Sequence, residues 1–255
     1  MEQHTCKNCE NLFEGNFCNV CGQKIAHRLD VSHIWHEVIH LFTHADKGIF
    51  AFIPKIITKP GIIALDYVEG KRKRYFNPLQ YLVILVGIVT FLVAKSHFME
   101  QVMSTINTMN DQNISAKAAA KQRQIVEFFQ KYFNVIMFVM IPVFSFFSWL
   151  LFKKKNYNYA ENVLVQVTLQ AQSNTILIFT FYPLLLFFGL HAPKIIFLLP
   201  LISLMICMAT TYAQFFELPW WVALIKGILI YICTIILIMV IAVAGVLVFV
   251  MLTGK

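Results

Sequence analysis

The stretch that decides the fold is Gly70-Lys71-Arg72-Lys73-Arg74-Tyr75-Phe76-Asn77-Pro78-Leu79-Gln80-Tyr81. Four consecutive cations are followed by two aromatic residues, a proline and a long apolar run. A basic cluster beside an apolar helix stays on the cytoplasmic side of a membrane and attracts anionic headgroups, at about 1 kcal/mol per cation near the surface. We therefore expect the first membrane span to start at Pro78, where a proline fits the first helical turn. We also expect a basic collar that binds anionic headgroups, formed by Lys71, Arg72, Lys73 and Arg74.

The composition indicates a membrane protein with several spans. Hydrophobic residues make up 58% of the 255 residues, charged residues only 13%, and the mean hydropathy is +0.67. A soluble domain of this size cannot bury so much apolar surface. The net charge of +8 does not indicate nucleic-acid binding, because residues 1–77 hold ten Lys and Arg against eight Asp and Glu. The excess positive charge gathers at the membrane edge, where it sets orientation.

The N-terminal region is predicted to stay in the cytosol. The first 28 residues are polar and rich in cysteine, without the apolar run of a secretory signal peptide. Cytosolic thiols are kept reduced and bind metals more often than they pair with each other.

Two Cys-x-x-Cys pairs predict a metal site. Cys6-Lys7-Asn8-Cys9 and Cys18-Asn19-Val20-Cys21-Gly22 are separated by eight residues, and each turn offers two thiolates to one side of a tetrahedral Zn²⁺ ion. Gly22 allows the positive φ that turns backbone N–H groups towards sulfur. Four thiolates leave no position for water, so we expect a structural metal that supplies the folding free energy of a small zinc ribbon. The predicted ligands are Cys6, Cys9, Cys18 and Cys21. The alternatives are two disulfides or a redox dithiol.

An amphipathic helical pattern runs from Asp30 to about Thr43, with its apolar side chains on one broad face. The opposite face carries a narrow stripe of His33, His36, His40 and His44. Spacings of three and four place imidazoles side by side, so this stripe is either a second metal site, with Glu37 available to complete it, or the polar face of a helix on the membrane. A proton-sensing role is a further alternative.

The pattern predicts an all-α polytopic membrane protein with about five transmembrane helices. The expected spans are residues 78–98, 131–152, 176–190, 195–216 and 222–252. Residues 48–65 are apolar but contain two prolines and two lysines, so we expect interfacial or re-entrant helices there. Lys153-Lys154-Lys155 is expected in the cytosol. The resulting domains are a zinc ribbon (1–28), interfacial amphipathic helices with the basic collar (29–77) and a helical transmembrane domain (78–255) with a helix-prone extracytoplasmic excursion (99–130).

Polar residues recur on the helix that leads into the third span. Asn158-Tyr159-Ala160-Glu161 resembles a capping box that starts this helix. Gln166, Gln170 and Asn174 then recur every four residues and form one polar face. Polar faces near a membrane usually meet other helices or water rather than lipid. This face either lines a cavity or a docking surface, or its turns protrude into the cytosol.

Several short motifs accompany the two cysteine pairs and the Gly22-Gln23 that follows the second. They are Asp46-Lys47-Gly48, Pro60-Gly61, Tyr67-x-x-Gly70-Lys71-Arg72, Tyr75 and Asn77-Pro78. Together they resemble the uncharacterised bacterial membrane family of domain of unknown function 3667 (DUF3667), common in Bacteroidota. A weaker segment, Tyr159-Ala160-Glu161-Asn162-Val163-Leu164, is similar to that family except at Asn162, where the family often has histidine, so we assign that position no ligand role. The resemblance implies a zinc ribbon and a helical membrane domain in a bacterial inner membrane, and it supplies no activity.

Three functions are compatible with these patterns. The one we expect is a non-enzymatic inner-membrane subunit or adaptor, whose ribbon and interfacial helices dock a membrane or cytosolic protein at the cytoplasmic face. The alternative is a small-molecule or lipid transporter or handling protein that uses the polar face of the third span, although the spans hold almost no charge for ion coupling. The third is an intramembrane enzyme. The sequence contains no Gly-x-Ser-x-Gly or glycine-rich phosphate motif. Its one His-Glu-x-x-His spacing, His36-Glu37-Val38-Ile39-His40, lies within the histidine stripe, which is therefore the candidate for a catalytic metal.

Overall fold

The computed structural model describes residues 3–30, 48–109, 116–188 and 193–253, which form a small two-stranded sheet followed by helices. The strands are β1 (Gln3–Thr5) and β2 (Leu12–Glu14). The helices of the first half are α1 (Ile49–Thr58), α2 (Pro60–Val68), α3 (Pro78–Lys95) and α4 (Phe98–Met109). Those of the second half are α5 (Ala116–Leu151), α6 (Tyr159–Phe179), α7 (Phe181–Phe188), α8 (Pro193–Phe216) and α9 (Trp220–Thr253).

The amphipathic helix expected from Asp30 to Thr43 falls almost entirely outside the described residues. The histidine stripe lies there with Glu37, at His33, His36, His40 and His44. The choice between a second metal site and a polar membrane-facing surface therefore stays a prediction.

The N-terminal ribbon is built around its cysteines. β1 and β2 pair antiparallel, with His4 opposite Phe13. Strands of three residues cannot bury a core of their own. Instead the ring of Phe13 is buried against Cys6 and Cys18, so the sulfur atoms occupy the centre of the ribbon. After β2 the chain turns at Gly15, which adopts φ +86°.

Two short helices precede the basic collar. The chain breaks between α1 and α2 at Lys59 (φ −134°, ψ 44°), because Pro60 restricts the residue before it and cannot donate a helical hydrogen bond. The helices have 10 and 9 residues, too few to cross a bilayer alone, which takes about 20. One face of α2 is buried against α6 and α8.

The collar lies between a helix end and a helix start that are both capped. After α2, Gly70 adopts φ +97°, and the N–H groups of Gly70 and Lys71 bond to the carbonyls of Tyr67 and Asp66, which is a Schellman ending. At the start of α3, the Asn77 side chain accepts hydrogen bonds from the second and third helical residues, and Pro78 occupies the first helical position, as expected.

Four described helices contain segments long and apolar enough to cross a membrane, by length and composition. They are Pro78–Lys95, Ala120–Leu151, Leu198–Phe216 and Trp220–Ile241. Large apolar side chains on these segments face outward, and Phe91, Ile206 and Ile241 are 67%, 55% and 61% exposed. So much exposed apolar surface favours lipid over water. The four apolar segments and the exposed apolar surface therefore indicate a multi-pass membrane protein.

The segment expected to be the third span differs from the other four. It splits into α6 and α7 at Thr180, because in a continuous helix Pro183 would clash with the carbonyl of Phe179. α6 is polar, and 14 of its 21 residues are buried. It packs against α1, α2, α3, α5 and α8 and so lies at the centre of the described helices. A fifth membrane crossing by α6 and α7 stays a prediction.

The helical core lies on two sides of α6. On one side, Val165 and Leu169 pack with aromatic residues of α5 and α8, including Phe144 and Tyr212. On the other side, Val167 and Ala171 pack with residues of α1 and α3, including Phe52, Tyr81 and Leu82.

The segment expected to form the polar excursion is helical where it is described. α4 ends at Met109 and α5 begins at Ala116, so the described part of this segment has the helical structure expected of it. α5 continues for 36 residues, or about 54 Å at 1.5 Å per residue. A bilayer core is about 30 Å thick, so this helix is long enough to extend well beyond it.

Candidate metal centre and the contacts that hold it

The four ribbon cysteines come together in one cluster. The Sγ atoms of Cys6, Cys9, Cys18 and Cys21 all lie within 4.8 Å of one another. The Cys6–Cys21 and Cys9–Cys18 sulfur pairs are 3.5 and 3.6 Å apart, and all four cysteines are free thiols rather than disulfides. Zn–S bonds of about 2.3 Å in a tetrahedron place sulfur atoms about 3.8 Å apart. The cluster therefore fits a tetrahedral metal ion bound by thiolates.

The two halves of the cluster repeat the same backbone pattern. In the first half, the backbone N–H of Glu10 donates to the Cys6 carbonyl at 2.8 Å, and the backbone N–H of Cys6 donates to the Asn11 carbonyl at 2.9 Å. In the second, Gly22 and Cys18 make the corresponding bonds at 2.8 and 2.9 Å. Glu10 and Gly22 occupy matching positions at φ +61° and +69°. The positive φ predicted for Gly22 is confirmed, whereas the same conformation at Glu10 has no glycine to signal it.

The backbone favours negative charge on the second cysteine pair. The N–H of Cys21, with a smaller contribution from Val20, donates to the Cys18 sulfur and lowers the Cys18 pKa to about 6 despite burial. The N–H of Gln23 lowers the pKa of Cys21 in the same way. At Cys9 the N–H of Asn11 also favours the thiolate, but loss of hydration and hydrogen bonds with the other three thiols raise its pKa to about 12. A bound cation would replace the protons that these crowded sulfurs otherwise share.

Gln23, the residue after Gly22, fastens the ribbon to the basic collar. Its side chain is 5% exposed, and its Nε2 donates to the Gly70 carbonyl at 2.6 Å. Its Oε1 accepts from the backbone N–H groups of Arg72 and Lys73 at 3.1 and 3.2 Å. A Cβ on Gly70 would lie 2.8 Å from the Lys7 side chain, so this approach of ribbon to collar requires glycine.

A second attachment joins the ribbon to the start of α6. The Arg28 guanidinium donates to both carboxylate oxygens of Glu161, from Nε at 2.8 Å and from Nη2 at 3.0 Å. The Glu161 carboxylate also accepts from the Asn158 N–H at 2.7 Å, while Asn158 Oδ1 accepts from the Glu161 N–H at 2.8 Å. The predicted capping box is thus confirmed. Asn158 further donates its Nδ2 to the Leu29 carbonyl at 2.8 Å.

The structure engages part of the predicted lipid-binding collar in internal contacts. Lys71 Nζ lies 3.0 Å from Asp66 and 2.7 Å from Glu69, and Arg72 Nη2 donates to the His27 carbonyl at 2.8 Å. Asp66 also accepts from the Tyr75 hydroxyl at 2.7 Å. Burial acts to raise the pKa of Asp66, but the bonds from Tyr75 and Lys71, together with the charges of Lys71 and Arg74, lower it below its ordinary value.

The predicted polar face of α6 is largely buried against neighbouring helices rather than exposed on free helical turns. Gln166 is 1% exposed and donates to the Tyr212 hydroxyl at 2.6 Å, and Asn174 is 4% exposed. Gln170 is partly buried. Gln172, which is not on the predicted face, donates to the Ile57 carbonyl at 2.8 Å and accepts from Thr211 at 3.1 Å.

Asn162 stands at a position where the resembled family often has histidine. In this structure its side chain packs between two helices. Its Oδ1 accepts from the Ser148 hydroxyl of α5 at 3.0 Å, and its Nδ2 donates to the Asn158 carbonyl at 2.9 Å. The side chain is 1% exposed and joins α5 to α6.

Comparison with known proteins supports the family resemblance. Residues 46–90 match the sequence model of a family described as protein of unknown function (DUF3667). The matched segment contains α1, α2, the basic collar and most of α3, and the cysteine ribbon lies outside it. No curated protein and no solved structure matches the chain.

Proposed function

We propose that this chain is a non-enzymatic membrane subunit or adaptor that presents a metal-bound ribbon to a protein partner at the cytoplasmic face. The observation that carries the proposal is the attachment of the ribbon to the helical part through Gln23 and Arg28. A ribbon held at two points has a fixed position and orientation. Preorganisation of this kind reduces the entropy cost of binding a partner.

The ribbon leaves apolar side chains exposed that are suited to protein contact. Leu12, Phe17 and Val20 are 65%, 60% and 68% exposed, although each has a large apolar side chain. The Nδ2 of Asn11 donates to Asn19 at 2.8 Å, which brings the chain before Leu12 close to the chain before Val20. Apolar side chains that a small domain leaves exposed near one another commonly mark an interaction surface.

We assign the metal as structural Zn²⁺ held by Cys6, Cys9, Cys18 and Cys21. Four thiolates complete a tetrahedral shell, so the ion would stabilise the ribbon rather than activate water. Elemental analysis of the purified chain should find one zinc per protein. A second metal per chain would direct attention to the histidine stripe, and a metal-free protein with intact ribbon contacts would contradict the assignment.

We place the ribbon in the cytoplasm and the helices in a bacterial inner membrane. Support comes from positive charge gathered at one end of the helices: the ribbon contacts the collar through Gln23, and Arg28 reaches the Asn156 carbonyl, next to Lys153-Lys154-Lys155. Lys and Arg near the ends of spans are retained on the cytoplasmic side. Labelling of the ribbon cysteines from outside intact cells would contradict this orientation.

The adaptor proposal is tested by crosslinking in the native membrane followed by purification in mild detergent. The wild type should return a stoichiometric protein partner, and Phe17→Ser with Val20→Ser should lose it while keeping full metal content. Phe128→Ser is a matched control, because Phe128 is 56% exposed on α5, away from the ribbon. Recovery of the chain alone from every sample would contradict the proposal.

A second candidate, a transporter or lipid-handling protein, is favoured by two buried polar atoms. Gln166 Oε1 and Asn174 Nδ2 have no hydrogen-bond partner in the described part of the chain, and both lie on the polar face of α6. Buried polar atoms without partners usually contact water or a ligand. Asn174→Leu should abolish transport or lipid partitioning under this candidate, whereas wild-type behaviour of that variant and of Gln170→Leu would remove its support.

A further inference from the structure

Lys71 and Arg72 are the two collar cations with the shortest internal contacts. Lys71 pairs with Asp66 and Glu69. The Arg72 guanidinium donates to the His27 carbonyl and lies 5.6 Å from the ring centre of Tyr67. An external anion would have to displace these contacts. The other two cations, Lys73 and Arg74, lie on a different surface.

That surface is a groove of about 350 Å³ between α1 and the collar. Lys55, Lys73 and Arg74 line it together with Tyr75. Lys55 Nζ and Arg74 Cζ lie 5.7 and 5.8 Å from the centre of the Tyr75 ring, so two cations neighbour the same aromatic side chain. The volume falls in the range of about 300–1,000 Å³ that small-molecule sites occupy.

Positive charge in the groove exceeds the negative charge beside it. Within the described ranges, Lys55 and Lys73 form no ion pair, and Arg74, whose side chain is 61% exposed, pairs only with Asp66, at 3.4 Å. Asp66 already accepts shorter hydrogen bonds from Lys71 and from the Tyr75 hydroxyl, at 3.0 and 2.7 Å. An anion entering the groove would therefore meet three cations and one carboxylate with other partners.

The groove also has an apolar floor next to the first membrane span. The buried rings of Phe52 and Phe76 line it beside the cations, with their centres 6.2 Å apart. Phe76 is two residues before Pro78, where the first span begins. Cations above an apolar floor at the edge of a span suit a ligand with a charged head and an acyl tail better than a free ion.

We propose that this groove binds the phosphate group of an anionic phospholipid, with Lys55, Lys73 and Arg74 as its cationic contacts. The proposal rests on the membrane-surface position of the collar in the proposed function, and it does not depend on a protein partner. It narrows the expected lipid contacts of the collar to Lys73 and Arg74, and it adds Lys55, which lies outside the basic run.

Native mass spectrometry of the full-length chain in uncharged detergent tests the proposal. The protein is titrated with phosphatidylglycerol, with phosphatidylcholine and with inorganic phosphate. Lys55→Gln combined with Lys73→Gln should weaken phosphatidylglycerol binding about thirtyfold, since each cation near a membrane surface contributes about a factor of five. The matched control removes the same charge from the other basic cluster, by Lys153→Gln combined with Lys154→Gln, and should leave binding unchanged.

If both double variants lose phosphatidylglycerol binding equally, the groove is not the binding site, because binding then follows net charge. A second outcome would overturn the phospholipid as the ligand. In that outcome inorganic phosphate binds with the same dependence on Lys55 and Lys73, and phosphatidylglycerol binds no tighter than phosphatidylcholine. Metal content and partner capture are measured on the same variants. Lipid binding lost at Lys55 and Lys73 with partner capture intact supports the groove, and it separates this proposal from the adaptor proposal.

Discussion

Single side chains hold the ribbon on the helices by satisfying backbone groups and one buried charge. Gln23 uses both ends of its amide on the collar, and Glu161 combines a helix cap with an ion pair. The carboxylate of Glu161 is buried, whereas the Arg28 side chain is 64% exposed. A buried carboxylate without its cation destabilises the folded state. Removal of Arg28 therefore acts mainly by leaving the Glu161 carboxylate without a charged partner.

Arg28→Ala should lower the free energy of unfolding, because the buried Glu161 carboxylate then loses its charged hydrogen-bond partner. It should also expose the chain near residues 26–30 to protease. The measurement is thermal unfolding in detergent together with limited proteolysis. Lys24→Ala is the control, because Lys24 is an exposed cation of the ribbon. In the double variant with Glu161→Gln the two losses should not add, and full additivity would show that the pair is not coupled.

The Asp66 carboxylate should make the stability of the protein depend on pH. Its pKa is lowered on folding, against the effect of burial, by Tyr75, Lys71 and Arg74. A carboxylate of this kind stabilises the fold above its ordinary pKa of about 3.9 and loses that contribution as the pH falls towards the folded value. Asp66→Asn should therefore be less stable than the wild type at pH 7, and the difference should shrink below about pH 4.

The Asp66 comparison is made on metal-free protein, because acid also displaces metal from cysteine thiolates. Denaturant unfolding of both proteins across the pH range gives the difference directly. A difference that stays constant from neutral to acid pH would mean that the Asp66 charge does not contribute to stability.

At the scale of elements, the break between α1 and α2 is supported by polar side chains from two other helices. Gln172 of α6 donates to the Ile57 carbonyl, and Gln214 of α8 donates to the Thr58 carbonyl at 2.9 Å. The same Gln214 accepts from the Gly61 N–H at 3.1 Å. Helix ends leave carbonyl and N–H groups without helical partners. The two amides therefore satisfy backbone groups that the break between α1 and α2 leaves without helical partners.

The close approach of α2 to α8 depends on Gly61. A Cβ there would lie 2.5 Å from Gln214 Cβ and 2.7 Å from the Phe215 backbone nitrogen, and it would also meet the Thr211 carbonyl. Gly61→Ala should separate the two helices and destabilise the protein by about 1–3 kcal/mol or more, as overpacking does. Denaturant unfolding monitored by helicity measures the loss.

Gly87→Ala is the matched control, because Gly87 also lies within a helix and a Cβ there would meet nothing within 4 Å. That change should be neutral or stabilising, since alanine favours helix by up to about 1 kcal/mol over glycine. Equal destabilisation by both variants would contradict the role given to the α2–α8 contact.

The features that could be predicted from the sequence are local ones. The two cysteine pairs, the Gly22 turn, the Asn158 capping box and the Pro78 helix start each depend on residues within one turn of each other. The Arg28–Glu161 pair joins residues 133 apart, and the Gly61 contact joins α2 to α8, so no local pattern indicated them. The polar face of α6 was visible in the sequence, but what covers it depends on five neighbouring helices.

At the scale of the whole molecule, the ribbon, the collar and the start of α6 meet at one end of the helices. The cysteine cluster lies in the only part of the described chain that contains strands, while its attachments run through Gln23 and Arg28 to helical partners. The apolar core of the ribbon is too small to stabilise it alone, so we expect a bound metal to supply its folding free energy. The position of the ribbon and the occupancy of its metal site are therefore expected to change together.

Removal of the metal should release the ribbon and leave the helical assembly intact. Without a cation the four sulfurs no longer hold the two turns together, so Gln23 and Arg28 lose the rigid base from which they reach Gly70 and Glu161. A chelator, or Cys6→Ser with Cys9→Ser, should reduce the metal content from about one per chain to less than about a tenth and expose residues 3–30 to protease. The far-ultraviolet helix signal should change little, because the described ribbon contains strands and no helix.

Cys233→Ser is the control, since Cys233 lies on α9 outside the cluster, and this variant should keep its metal content. Loss of helicity in step with the metal would show instead that the ribbon is part of the folding core of the helices.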